Sequence, residues 1–263
     1  MPKKPPPDPD FMLSLARGLA VMRAIAAEGP RLSIGDVARI TKVSRPAAGR
    51  CLHTLQVLGY ASASNGGFEL TPMVMSLASN YLAAAPDQFG AGAIARIAQP
   101  VLERLSKQLN ESASLAVLDD EDIVYLARAA AQRILSVELA VGSRLPAACT
   151  SMGRVLLAHL SDDLRARYLS RVKLHPYTPH TIVNKSRLRA ELDKVRAQGY
   201  AIVEQELEIG LRSVAVPVRR PDGAVVAAVN AGVHVARADS QTLLREFLPV
   251  LQRASGDITA ALD

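Results

Sequence analysis

The chain has 263 residues, of which 49% are hydrophobic, and its formal net charge is +6. This length and apolar content predict one large or two ordinary domains with true hydrophobic cores, and the positive charge favours an anionic partner. No apolar run reaches the ~18–20 residues of a membrane span, the start lacks the apolar region of a signal peptide, and two cysteines make no disulfide framework, so we predict a cytoplasmic protein.

The first segments predict a flexible arm followed by a helix. Residues 1–10 are rich in proline and charge, which is typical of a disordered arm. Leu13–Glu28 is amphipathic, with Ser14 as a candidate cap, and the helix is expected to end at Gly29. This helix would supply one wall of a compact N-terminal domain spanning residues 11–71.

Residues 32–60 predict two short helices joined by a tight turn. Ser33 and Asp36 have the spacing of a capping box, and the first helix would end near Lys42. Ser44 would open the second helix, where Pro46 is tolerated in the first turn. An apolar stripe follows on that second helix: Ala48, Cys51, Leu52, Leu55 and Leu58. Helix, turn and helix in this order indicate a helix-turn-helix unit.

The opposite side of the second helix is polar and basic, as a major-groove reader requires. Residues 31–60 contain five basic residues against one acid, Asp36. The alternative is an ordinary helical hairpin with a solvated basic face. We predict that residues in and around this unit contact DNA, with Arg45 and Arg50 at base edges: Ser33, Lys42, Ser44, Arg45, Pro46, Ala47, Arg50, His53 and Asn65.

A hairpin signal follows directly. Residues 60–70 contain two short strand-like runs around Asn65, Gly66 and Gly67, a turn composition that favours tight hairpins. A hairpin placed after a recognition helix is a wing, so residues 11–71 predict a winged helix-turn-helix domain.

Residues 72–90 form a predicted linker, with a helix over 72–85 whose apolar stripe is wide. Two interpretations remain open: the helix packs against a partner subunit, or it caps its own winged domain.

Residues 91–263 predict an α+β domain, because strands flanked by helices end in an antiparallel hairpin. Helices are expected at 94–109, interrupted or begun by Pro100, and at 149–160, 162–171, 184–198 and 239–262. Strands are expected at 112–118, 123–129, 134–139, 200–203, 212–218 and 224–233. The acidic run 119–122 is expected to be a solvated hairpin tip.

Two segments of this domain contain candidate ligand contacts. Small polar residues open the helix at Thr150, Ser151, Met152, Gly153 and Arg154, and free N–H groups at such a terminus favour a carboxylate. A plain capped helix is the alternative. The second segment, 204–213, is rich in glutamate, which suggests acid–base chemistry, with Glu204 and Glu206 as the pair.

Motifs of nucleophilic, phosphate-binding or metal chemistry are missing from the sequence. The histidines show no ligand spacing, and Cys149 has no cue for activation, so a buried structural thiol is expected. We therefore predict no cofactor, no metal and no catalytic residue. A pocket that binds without reacting fits better than an active site.

Several of these segments together resemble the IclR family of bacterial transcriptional regulators, from about Phe11 to Leu262. The similar segments are residues 44–48, 58–60, 144–147, 150–154, 199–200, 204–206 and 210–217. The amino-acid sequences of these segments resemble most the branch that controls aromatic-acid catabolism, the β-ketoadipate pathway regulators. One departure is Lys42, where the family usually has glycine; a left-handed residue other than glycine costs ~1 kcal/mol there.

The resemblance implies a GAF-like C-terminal domain that binds an effector, a small aromatic or keto carboxylic acid. Arg144 or Arg154 would offset the carboxylate, and the choice stays open. The implied effector-binding residues are Leu135, Val137, Arg144, Thr150, Ser151, Met152, Gly153, Arg154, Glu206, Ser213, Asn230 and Gly232.

The resulting hypothesis is a ligand-responsive regulator that binds a double-stranded DNA operator as a homodimer or a dimer of dimers. RNA polymerase is a candidate partner, and the ligand would shift the spacing of the winged domains through the linker helix. Two other hypotheses remain: an enzyme that uses Glu204 and Glu206 and has a winged appendage, and an architectural DNA-binding protein without a ligand.

Overall fold

A computed structural model describes residues 9–29, 31–64, 66–77, 91–131 and 139–262. The chain divides into two compact units, residues 1–81 and 82–263. Among the described residues, no helix combines the length and apolar character needed to span a membrane.

The helices that build the core of the N-terminal unit are α1 (Leu13–Glu28), α2 (Ile34–Thr41) and α3 (Arg45–Val57). Helix α2 begins with the predicted capping box, since Asp36 N donates to Ser33 Oγ at 3.2 Å and Ser33 N donates to Asp36 Oδ2 at 3.3 Å. The predicted cap at Ser14 is wrong, because Met12 occupies the N-cap position of α1 without a side-chain hydrogen bond.

The turn between α2 and α3 depends on Lys42. Its φ of 55° and ψ of 29° lie in the left-handed region, which ends α2 and redirects the chain. The condition named for Lys42 is met, and this non-glycine residue therefore carries a conformational cost of ~1 kcal/mol.

The wing consists of β1 (Ala61–Ser64) and β2 (Gly67–Leu70), paired antiparallel with Ser64 opposite Gly67. Leu32 bridges to Phe68 on the other edge of β2 through two backbone hydrogen bonds, of 3.0 and 2.9 Å. The wing is thereby fixed to the residues that enter α2. Asn65 lies outside the described residues.

The three helices and β1 enclose a small apolar core formed by Val21, Ile25, Leu32, Val37, Ala48, Leu52, Leu55 and Ala61. One predicted core position is wrong, because Leu58 is 58% exposed; the apolar Ile34 is also 39% exposed. Leu58 follows the last residue of α3, and Ile34 is the first residue of α2, so neither is surrounded by the other helices. Residues 73–77 are helical, whereas most of the predicted linker helix lies outside the described residues.

The C-terminal unit is built on a six-stranded antiparallel sheet with the order β5-β4-β3-β8-β7-β6. The strands are β3 (Ser112–Asp119), β4 (Asp122–Ala129), β5 (Arg144–Pro146), β6 (Ala201–Glu204), β7 (Leu211–Arg219) and β8 (Val225–His234). The predicted α+β class is confirmed, and the predicted strand at 134–139 lies outside the described residues except for Leu139.

Helices cover both faces of this sheet. The helices are α4 (Ala91–Leu109), α5 (Ser151–Ala158), α6 (Asp162–Arg171), α7 (Lys185–Gln198) and α8 (Leu248–Ala260), the last preceded by helical turns at Ser240–Thr242 and Leu243–Phe247. Helix α4 is continuous through Pro100, so the predicted interruption is wrong. Neighbouring strand residues alternate between faces: Leu115 packs with α4 and α8, while Ala116 packs with α5 and α7.

Candidate functional site

The exposed face of α3 is basic and polar. Arg45, Arg50, His53 and Thr54 are exposed on it, and Pro46 is also exposed. Ala47, which we expected on this face, is only 7% exposed, because its position turns it inward beside Ala48. The solvent face of α3 therefore offers two guanidinium groups and an imidazole without a carboxylate.

Arg45 lies at the junction of α2, α3 and the wing. A Cβ added at Gly35 would be 2.7 Å from Arg45 Nη2, so the guanidinium packs closely on the first turn of α2. An open groove of about 590 Å³ begins here and continues to the wing. Its lining residues are Ser33, Ile34, Gly35, Arg45, Ala63, Ser64, Gly66, Gly67 and Phe68.

Asp36, the single acid among residues 31–60, is hydrogen-bonded to its neighbours in the first turns of α2. Hydrogen bonds from the Ser33 side chain and from Arg39 hold the pKa of Asp36 below its usual value. Its charge remains, but both of its oxygens are directed to these partners. Of the remaining predicted DNA contacts, Ser44 and Lys42 are exposed and Ser33 is half-buried.

The C-terminal unit contains a cavity of about 730 Å³, and residues of β3, β4, β7 and β8 contribute to its lining. Strand pairing arranges its polar floor in two rows. Arg128, Ser114 and Asn230 lie side by side on β4, β3 and β8, because Ser114 pairs with both of the others. The next row is formed by Ser112, Gly232 and Ser213 in the same manner.

Among the described residues that line this cavity, Arg128 is the only arginine. It is half-buried, and no described carboxylate lies within ion-pair distance of it. Three acids are in the lining: Glu111 pairs with Arg237 at 3.1 Å, Glu206 pairs with Arg154 at 2.6 Å, and Glu208 is exposed. Arg128 thus provides a positive charge that can face a bound anion.

The start of α5 contributes less of the cavity wall than we predicted. Thr150 lines it, and its Oγ1 accepts the Gly153 N–H at 3.2 Å as a helix cap. A Cβ on Gly153 would be 2.1 Å from the Ala147 carbonyl oxygen, so this glycine serves close backbone packing. The neighbouring Ser151 and Met152 are buried on the helix side and do not line the cavity.

Neither arginine considered for the ligand carboxylate lines the cavity. Arg154 is 2% exposed, and it donates to Glu206 Oε2 at 2.6 Å and to the Ala148 carbonyl at 3.0 Å. Arg144 lies on the edge strand β5, where it bonds Asp122 at 3.1 Å and Asp119 at 2.5 Å. Both guanidinium groups therefore already have carboxylate partners.

The glutamates considered for catalysis are also engaged. Glu204 accepts from Arg212 and from Ser240 Oγ, and the Arg212 hydrogen bond keeps the pKa of Glu204 below its usual value. Burial raises the pKa of the Cys149 thiol to about 12, so it stays protonated at neutral pH. Within the described residues, no group of three or more potential ligands is arranged to hold a metal ion.

Of the predicted effector contacts, the cavity brings together Thr150, Glu206, Ser213, Asn230 and Gly232. Leu135 and Val137 lie outside the described residues. Residues that the sequence analysis missed also line it: Ser112, Ser114, Tyr125, Arg128, Cys149 and His234. The alternation of polar and apolar residues along β3 could have indicated Ser112 and Ser114. The position of Arg128 depends on a strand register that the sequence does not show.

Known proteins and protein families match this chain over nearly its whole length. Residues 14–63 match the IclR helix-turn-helix domain, and residues 90–260 match the bacterial transcriptional regulator IclR C-terminal domain. The Pca regulon regulatory protein of Pseudomonas putida is 46% identical over 252 residues, which cover 95% of this chain and 84% of that protein.

Two further relatives extend this similarity. The p-hydroxybenzoate hydroxylase transcriptional activator of Acinetobacter baylyi is 33% identical over 254 residues, covering 95% of this chain and 91% of that protein. The crystal structure of an IclR homolog from Microbacterium hydrocarbonoxydans, complexed with 4-hydroxybenzoate, has a TM-score of 0.81 and 25% identity, and it covers 95% of this chain and 98% of that one. These relatives are regulators, which argues against the enzyme hypothesis. The chain belongs to the IclR family of bacterial transcriptional regulators.

Proposed function

We propose that this protein binds an operator through α3 and the wing and senses a small aromatic or keto carboxylic acid in the sheet cavity, and that it thereby controls aromatic-compound catabolism. The observation that carries the proposal is Arg128, a cavity arginine without a carboxylate partner among the described residues. The relatives named for the Pca regulon and for p-hydroxybenzoate hydroxylase support the choice of pathway.

The polar row across the sheet matches the chemistry of a carboxylate. Arg128 supplies the charge, and the Ser114 hydroxyl and the Asn230 amide on the adjacent strands supply hydrogen-bond donors. Leu139, Leu145 and Val203 supply apolar wall for a ring. A few polar groups in a mostly apolar cavity are typical of a small-molecule site.

A thermal-shift experiment with 4-hydroxybenzoate, protocatechuate and β-ketoadipate tests the ligand class. A ligand of the native state at about 100 times its Kd stabilises it by ~2.7 kcal/mol, which raises Tm by several degrees. The matched neutral compound 4-hydroxybenzyl alcohol should give a much smaller shift. Arg128→Gln should abolish the shift, whereas Arg253→Gln, at an exposed position on α8, should retain it. Equal shifts in both variants would contradict the role of Arg128.

Operator binding tests the other half of the proposal. If Arg50 contacts a base edge, Arg50→Ala should cost ~1–3 kcal/mol on the native operator and relax sequence preference at one position. Equal weakening on all operator variants would contradict that contact. Adding the best acid to the same assay tests whether ligand binding and DNA binding are coupled.

We further propose that a dimer, or a dimer of dimers, presents two winged domains to a pseudo-palindromic site, since symmetric operators require symmetric proteins. The linker over 72–90 would transmit the effect of the ligand, RNA polymerase is a candidate partner, and binding to chromosomal DNA would place the protein in the cytoplasm. Sedimentation with and without operator DNA measures the stoichiometry, and a single monomer on the operator would contradict the proposal.

A further inference from the structure

A second cavity, of about 250 Å³, lies in the C-terminal unit beside the loop that follows α6. Glu121 and Asp122 from the β3–β4 turn, Tyr168 from α6 and Tyr177 from the loop contribute to its walls. Among the described lining residues, Cys149 alone is shared with the sheet cavity. The two cavities are therefore neighbours at Cys149.

Tyr168 has an unsatisfied hydroxyl at this cavity. The residue is 3% exposed, and its Oη makes no hydrogen bond within the described part of the chain. A buried hydroxyl without a partner costs ~1–3 kcal/mol, so native proteins rarely retain one without a reason. A molecule in the cavity that bonds this oxygen would remove the cost.

Two carboxylates that line the same cavity, those of Glu121 and Asp122, each have an oxygen without a partner among the described residues. Asp122 uses Oδ2 for Arg144 at 3.1 Å, and Glu121 uses Oε1 for Arg171 at 3.8 Å. The second oxygen of each carboxylate, Oδ1 and Oε2, has no ion-pair or hydrogen-bond partner among the described residues. Burial raises the pKa of Tyr168, the nearby Glu121 raises it further, and Arg171 lowers it.

The unpartnered Tyr168 hydroxyl and the carboxylates of Glu121 and Asp122 together favour a ligand that donates hydrogen bonds and has a positive charge. Tyr177, 48% exposed, contributes an aromatic ring to the same lining, and such rings attract cations. Val172, Leu174 and Ile182 supply apolar wall. The volume lies below the ~300–1,000 Å³ typical of drug-sized ligands, so the occupant is small. Lys173 and His175 also line the cavity, and the Lys173 charge would disfavour a ligand with a second cationic group.

We infer that this cavity is a second ligand site, specific for a small primary ammonium compound whose nitrogen bonds Tyr168 Oη and the free oxygens of Glu121 and Asp122. The site is opposite in charge preference to the sheet cavity with Arg128.

Calorimetric titration of the full chain with 2-phenylethylamine tests this site, with 3-phenylpropanoate as the acid of similar shape. The amine should bind saturably with one equivalent per chain, and the acid should not displace it. Tyr168→Phe removes only the unpartnered hydroxyl, so Tm should stay equal or rise, while the affinity for the amine should fall about tenfold, as expected for a hydrogen bond to a charged group. Arg128→Gln should leave the affinity for the amine unchanged.

Three results would overturn the inference: no saturable heat with millimolar amine, equal amine affinity in Tyr168→Phe, or displacement of the amine by the acid. Any of them would indicate a cavity that holds water only or a site without charge selection. The aromatic-acid shift that depends on Arg128 is measured separately, so failure at one cavity is distinguishable from failure at the other.

Discussion

Arg154 and Glu206 form a buried ion pair, with Nη2 and Oε2 2.6 Å apart and side chains 2% and 8% exposed. Each partner also forms a hydrogen bond with the backbone. Arg154 donates to the Ala148 carbonyl, and Glu206 Oε2 accepts the Ile182 N–H at 3.0 Å. Because Glu206 lines the sheet cavity, the pair connects that cavity to the turn before α5 and to the loop before α7.

Removing one partner of this pair should destabilise the protein strongly. Arg154→Met leaves the Glu206 charge buried without a counter-ion, and such changes cost ~3–5 kcal/mol. Urea denaturation of the variant measures the loss of unfolding free energy. Arg245→Met, which breaks an exposed pair with Glu246, should cost less than ~1 kcal/mol. Similar losses of unfolding free energy in both variants would show that the buried pair contributes no more to stability than the exposed pair.

Gly153→Ala should be damaging for a steric reason. The added methyl carbon would be 2.1 Å from the Ala147 carbonyl oxygen and 2.4 Å from its Cα, and neither backbone atom can rotate away. We expect a loss at or beyond the upper end of the ~1–3 kcal/mol typical of overpacking. Gly256→Ala in α8 meets no atom within 4 Å and should stabilise by ~0.5–1 kcal/mol. Thermal denaturation of the two variants measures the contrast, and a tolerated Gly153→Ala would contradict the close packing.

Local patterns predicted much of this fold because they depend on neighbouring residues. The capping box of Ser33 and Asp36 follows from short-range geometry alone, whereas the left-handed Lys42 is suggested only by comparison with the family's usual glycine. The ligand arginine could not be chosen this way. The residues next to Arg144, Arg154 and Arg128 do not show which guanidinium has a carboxylate partner. Only the strand register and the positions of Asp122 and Glu206 distinguish a paired guanidinium from a free one.

His159 predicts a pH dependence of stability. Its Nε2 lies 3.1 Å from Arg219 Nη2 and its Nδ1 lies 2.8 Å from the Val155 carbonyl, an arrangement that fits a neutral ring accepting from Arg219. Burial lowers the pKa of His159 below its usual 6.5, and the nearby Arg219 lowers it further. Because the folded pKa is depressed, the contribution of His159 is complete above the unfolded pKa and is lost as the pH falls below it.

The unfolding free energy should therefore decrease between about pH 7 and pH 5. His159→Gln should flatten this dependence, because the amide has no proton to gain. His175→Gln, at an exposed position, should leave it unchanged. Urea denaturation across this pH range measures the slopes, and identical slopes for the wild type and His159→Gln would exclude the proposed cause.

Lys42 should carry two separable effects, one on stability and one on DNA affinity. Lys42→Gly relieves the left-handed strain at φ 55° and should stabilise the N-terminal unit by up to ~1 kcal/mol, less the greater flexibility of glycine in the unfolded chain. Lys42→Gln keeps the strain and removes the charge, so its stability should resemble the wild type. If the exposed ammonium group contacts a phosphate, both variants should reduce the slope of log K against log salt by ~0.9. A stabilised Lys42→Gly with an unchanged salt slope would assign Lys42 to the turn alone, and a reduced slope in both variants would establish the phosphate contact.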